Sequence, residues 1–253
     1  LNAIVAAHSG TNLPRGTVIT NIGPVPTNAN GYVTTSSINY TAIRGSTYTE
    51  QSSAAQRSLV SSSASDAAAG VGAQTVRITY FDQSLNGPYH ETITLNGIVP
   101  VNTVSTNICF IDNMVVLTAG SSLANIGSIS LMTTIAGGGT ILGVINAGDN
   151  CTNWVHHYVG VGKVARLSYL SVGISGLYGG RVDIRSRNPV AANSVENIII
   201  NPVVISPGMS ILFEYDAPAQ IIGPSVIVAY AKCKNAAPTD WLVGFGYFED
   251  STQ

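Results

Sequence analysis

Between Thr75 and Glu249 almost every stretch is a short period-two run closed by a turn residue. A chain punctuated this way can build little except antiparallel sheets. Val76, Ile78 and Tyr80 alternate with Arg77, Thr79 and Phe81 before Asn86-Gly87-Pro88 breaks the run. Glu91-Thr92-Ile93-Thr94-Leu95 follows and ends at Asn96-Gly97, which predicts a hairpin with one buried face. Further strands are expected at 107–118, 126–134, 140–146, 153–159, 163–175, 180–187, 195–205, 209–215, 224–233 and 241–249. Ile, Val, Thr, Tyr and Phe dominate them, with Gly, Asn, Asp or Pro between neighbours. The fold class that follows is all-β: an antiparallel β-sandwich or jelly-roll-like domain (or domains) over 61–253, preceded by an extended N-terminal arm or small extension at 1–60.

The first sixty residues have a different character. Pro14, Pro24 and Pro26 stand among many Asn and Thr, and strand signals are weak near 16–22 and 31–43. This is the composition of an arm that orders against a partner. Thr47-Tyr48-Thr49-Glu50 has capping-box spacing, which predicts a short helix within 47–60. Ser61–Gly72, rich in Ser, Ala and Gly, reads as a loop entering the β region. The opening residues lack the charged and apolar regions of a secretory leader, the expectation for a chain assembled in a cytoplasm and equally for a mature chain whose start was removed.

Charge narrows the partners. Charged residues make up only 9% of the chain and the formal net charge is −2, against roughly a quarter charged in an average soluble protein. Lys163, Lys232 and Lys234 are its three lysines, too few to replace counterions along a nucleic acid or to hold an anionic membrane. Mean hydropathy is high at +0.28. Even so, the most apolar stretches, 198–213 and 221–231, are cut by Pro202, Pro207 and Pro224 and fall short of the roughly 20 residues of a membrane helix. Cys109, Cys151 and Cys233 are odd in number and widely spaced, the pattern of reduced thiols rather than of a zinc knuckle or a disulfide framework.

The motifs that can carry chemistry each have a structural explanation. Gly160-Val161-Gly162-Lys163-Val164-Ala165 has the letters of a dinucleotide fingerprint, but a strand pattern follows where a helix is needed, so a glycine hairpin turn is expected. His156 and His157, adjacent on a strand, point to opposite faces and cannot easily share a metal ion, with only His8 and His90 left as further ligands. No serine sits in a nucleophile elbow, and Asp66, Asp82, Asp112, Asp149 and Asp240 read mostly as turn residues. The expectation is a non-enzyme without catalytic, cofactor or metal residues. Arg181, Asp183, Arg185 and Arg187 alternate on one strand face, the densest charge cluster in the chain. They form either a solvated face with local pairing of Asp183 or a docking stripe for a carboxylate-bearing partner.

One resemblance adds to this reading. Ser63-Ala64-Ser65-Asp66-Ala67-Ala68-Ala69-Gly70-Val71-Gly72-Ala73-Gln74-Thr75-Val76-Arg77-Ile78, then Glu91 to Gly97, Thr118-Ala119-Gly120-Ser121-Ser122, Asn125-Ile126-Gly127-Ser128-Ile129, Ile145 to Asn150 and Val161-Gly162-Lys163 occur in that order. This succession resembles a group of tailed-bacteriophage virion proteins, many from aquatic phages, over roughly 60–250. The resemblance implies a β-rich particle component without a cofactor. With the low charge and the arm, it leads to a capsid decoration or cement protein of the virion, bound to the major capsid protein and to copies of itself as a trimer. The alternative is a head-fibre or tail receptor-binding module, its glycan stacked on Trp154, Tyr158, Tyr178 or Trp241.

Overall fold

The computed structural model describes residues 27–35, 39–175, 178–236 and 239–251. Its regular structure is antiparallel strand throughout, with a single 3-10 turn at Ile135–Gly137. The expected all-β class is therefore the observed one. The hairpin read from Val76 to Leu95 is present as Ala73–Phe81 (β4) paired with Tyr89–Thr94 (β5).

One group of strands builds two facing sheets. The first has the order β1 (Thr27–Thr35), β17 (Thr239–Ser251), β11 (Lys163–Ser175), β15 (Ser210–Ile222). The second has the order β10 (His156–Val159), β16 (Ser225–Cys233), β12 (Gly180–Arg187), then β13 (Asn197–Ile198) and β14 (Val203–Ile205), both on β12. The two-residue strand β2 (Thr41–Ala42) lies on the same edge of β16 as β10, opposite Tyr230 and Ala231, while β10 runs opposite Ser225 to Val228. Thus β2 and β10 are two pieces of one strand position. Counted in chain order, the eight positions read 1-8-3-6 in one sheet and 2-7-4-5 in the other, the strand order of a jelly roll. Inward side chains from both sheets, among them Leu167, Leu170, Ile184, Ala229, Trp241 and Phe245, close the core between them.

The interruption of that strand position is where a second β unit enters. The chain leaves after Ile43 and returns at Val155, and Val155 N–H donates to the Ile43 carbonyl at 3.0 Å across the stem. Between them β3 (Ser58–Ser61), β6 (Val101–Asn102), β8 (Ile129–Met132) and β9 (Ile141–Ile145) form one sheet, and β4, β5 and β7 (Phe110–Ala119) another. Leu59, Ile78, Met114, Leu131, Leu142 and Trp154 pack between these sheets as a separate core. A third cluster, centred on Tyr158 between Phe81 and Phe110, joins the insert to the outer face of the jelly roll's second sheet.

Three local expectations need correction. Residues 47–60 are extended rather than helical: Tyr48 bridges to Gly143, Ala55 to Ile108, and β3 follows. The capping-box letters are spent elsewhere, since the Glu50 carboxylate turns to Arg187 and Tyr158. The glycine motif at 160–165 is a turn, with Lys163 N–H on the Gly160 carbonyl at 3.2 Å and Gly162 at φ +70°. It is no hairpin, because β10 and β11 belong to different sheets. Finally, Asp112 and Asp240 lie inside strands β7 and β17 and not in turns. Of the expected arm, residues 1–26 lie outside the described residues, Thr27–Thr35 forms β1 on β17, and Thr41–Ala42 forms β2 on β16.

Candidate functional site

Two adjacent histidines stand where the insert meets the jelly roll. The free edge of β10 faces β7, so its backbone and side chains need partners from the insert. Asp112 Oδ1 accepts the Tyr158 N–H at 2.9 Å, and the Ile111 carbonyl lies 3.0 Å from His156 Nε2. That carbonyl can only accept, which places the His156 proton on Nε2. His156 stacks on Trp154 with centroids 5.3 Å apart and touches Tyr48 at 4.6 Å. Burial, reinforced by Arg44, pushes its pKa down to about 3, so the ring is neutral.

His157 points to the other face, as the strand period requires. Its Nδ1 lies 3.2 Å from Asp112 Oδ1 and 2.8 Å from the Tyr247 hydroxyl, and its Nε2 lies 3.2 Å from Glu249 Oε2. The Tyr247 ring stacks on the imidazole at 3.9 Å. Burial opposes a charge here, but the two carboxylates outweigh it and push the pKa up to about 9. The same contact with His157 holds the Asp112 carboxyl below its ordinary range in spite of burial. His157 is thus an imidazolium joining Asp112 of the insert to Glu249 of the jelly roll. A cavity of about 520 Å³ opens beside it, lined also by Thr79, His90, Asn113 and Cys151.

This arrangement holds two units together more readily than it does chemistry. Both ring nitrogens of His157 are engaged, so neither is free to take a proton from a nucleophile. Burial raises the Cys151 thiol and pushes Cys109 up to about 11, the reverse of an activated cysteine. Among the described residues no group of three or more His, Cys, Asp or Glu can hold a metal ion. His8 lies outside the described residues.

The charge stripe on β12 is found on the outward face of its sheet, beside the insert. Asp183 is fully buried, with Arg181 Nε at 2.7 Å and Arg185 Nη2 at 3.0 Å. Burial would raise its pKa, but these two guanidinium groups keep the carboxyl below the ordinary range. Arg187 Nη2 reaches both Glu50 oxygens at 2.6 Å, and Arg185 reaches Glu196 at 3.5 Å. Tyr40 covers Arg185 at 4.1 Å and Lys232 at 4.7 Å. The carboxylates facing Arg185 and Arg187 come from this chain, and a partner's carboxylate would have to compete with them.

Of the four rings considered for glycan stacking, Trp154, Tyr158 and Trp241 are buried, and Tyr178 is 39% exposed. Tyr247, Glu249 and Glu196 were not marked by the sequence, Asp112 was read as a turn residue and Glu50 as part of a capping box. One signal was available: Asp112 stands in the apolar run from Ile108 to Leu117, and a carboxylate inside such a run needs a buried partner.

Compared with known proteins, the chain matches no family model and no curated protein. Among solved structures it is similar to the VP2 subviral particle of infectious bursal disease virus, with a TM-score of 0.28 and 8% identity over 98% of this chain and 77% of that one. It is also similar to the naturally empty top component of cowpea mosaic virus, with a TM-score of 0.23 and 10% identity over 82% and 89%. The jelly-roll strand order rests on the hydrogen-bonded pairings themselves.

Proposed function

We propose that the chain is a non-enzymatic structural protein of a bacteriophage particle, a decoration or cement protein held to the head by contacts with the major capsid protein and with copies of itself. The observation that carries this reading is an uncovered apolar sheet face. On the outward side of the β1-β17-β11-β15 sheet, Leu212 and Leu242 are 54% and 64% exposed, with Ser171 and Gly173 of β11 opposite them, and Ile222 is 64% exposed further along β15. Glu214 and Asp240 flank the leucines on this face and Arg166 pairs with Asp250 there, so the apolar groups form a patch among charges; exposed apolar groups placed together are covered in a working assembly. The sequence resemblance to phage virion proteins supports the same reading, and a trimer closes every subunit's interface at a local threefold position. The receptor-binding alternative is less well supported, because three of its four candidate rings are inside the cores.

Sedimentation of the purified chain with particles that lack it tests this. It should pellet with isolated heads and not with isolated tails. Retention on host cells or their surface glycans, with no binding to heads, would replace decoration by receptor binding.

A further inference from the structure

The geometry points to a binding site for a carboxylate side chain of a partner protein at the exposed end of the β12 stripe, in a cavity lined by Arg181, Lys232 and Lys234. The cavity measures about 290 Å³ and its lining contains no carboxylate. Two of the chain's three lysines line it, in a molecule whose charged fraction is 9%.

The backbone places these cations together. Arg181 is directly opposite Lys232 across the β12–β16 ladder, and Lys234 follows on the same alternation, its N–H on the Gly179 carbonyl at 2.9 Å. Like charges directly opposite one another destabilise a sheet, and among the described residues no carboxylate lines the space that all three share. Asp183 takes Nε and Nη2 of Arg181, at 2.7 and 3.3 Å, and so balances one charge of the three. Gly179 and Gly180 form the floor. A Cβ at Gly179 would lie 2.2 Å from the Ile205 carbonyl, and one at Gly180 would lie 2.3 Å from the Lys232 carbonyl, so any side chain there would part the strands.

The walls decide between a peptide and a free anion. Val204, which is 76% exposed, stands with Ile205 and Pro207 beside the cations. A small inorganic anion has no use for such surface, whereas an acidic residue flanked by apolar ones covers it. Among the described strands β14 pairs with β12 alone, so its outer edge can also bind the main chain of that segment. This site rests on the geometry of the chain and not on its place in a particle.

Lysine acetylation rates, read residue by residue by mass spectrometry on the isolated full chain, test it with Lys163 as internal reference. The probes are a capped pentapeptide with glutamate between two valines, its glutamine counterpart, and inorganic sulfate at equal concentration. The glutamate peptide should slow Lys232 and Lys234 by about threefold, the scale of exposed ion pairs, and leave Lys163 unchanged. Lys232→Gln with Lys234→Gln, both on the surface, should abolish binding of the same peptide in a direct titration. Equal protection by sulfate or by the glutamine peptide overturns the proposal, as does unchanged reactivity with all three probes.

Discussion

At the scale of single residues, His156 and His157 show how one strand gives two imidazoles opposite protonation. His157 has a folded pKa raised from 6.5 to about 9. Its stabilisation is therefore complete below pH 6.5 and is lost as the pH rises through 9. His156 is depressed from 6.5 to about 3, so the unfolded chain gains a proton below 6.5 that the folded chain refuses, and stability falls on acidification. Together they place the stability maximum near neutral pH. Replacing His157→Gln should cost stability at pH 6, and the cost should shrink steadily toward pH 9 in urea unfolding. A cost independent of pH would mean that His157 is neutral in the fold. Asp66 is the other residue with a large role. Its buried carboxylate accepts N–H groups of Ala73, Ile126 and Gly127 at 2.8, 2.9 and 2.8 Å and the Ser61 hydroxyl at 2.6 Å. Burial raises its pKa, but these donors outweigh that and hold the carboxyl low. Asp66→Ala strands three backbone donors and should lower unfolding free energy by roughly 3–5 kcal/mol. A loss below about 1 kcal/mol would show that water replaces the carboxylate.

At the scale of elements, the insert is tied to the jelly roll by β7 against β10 and by Glu50 against Arg187 of β12. Arg187 and Glu50 make the closest ionic contact between them, each about a quarter exposed. A double-mutant cycle on Arg187→Ala and Glu50→Ala should give a coupling of about 1–2 kcal/mol, and additivity would reduce the pair to a surface contact. Period-two alternation made the long strands legible: 163–175 and 180–187 were expected at the limits that β11 and β12 have. Strand pairing was not legible in the same way, because alternation fixes which face is buried and says nothing of which strand lies alongside. Nothing local announces that β2 stops after Ala42 and resumes as β10 more than a hundred residues later. The candidate site was legible by halves. The opposite faces of His156 and His157 and the pairing of Asp183 follow from alternation on one strand. Glu249, Tyr247 and Glu50 reach their partners only through sheet packing.

At the scale of the whole molecule, two sandwiches are nested, one projecting from an interrupted strand of the other. Ionic pairs join the two where they meet, and exposed apolar side chains stand on the outward face of the β1-β17-β11-β15 sheet beside the Arg166–Asp250 pair. A molecule arranged this way joins its own halves with charge, and in the proposed particle role its exposed apolar groups are surface for a neighbour to cover. The measurement that tests this most directly is a cryo-electron-microscopy reconstruction of the purified particle with the chain fitted to its density. The account predicts the chain on the head surface, with Leu212, Leu242 and Ile222 covered by a neighbouring protein. Density for the chain at the tail tip alone, or on the head with that sheet face left bare to solvent, would contradict it.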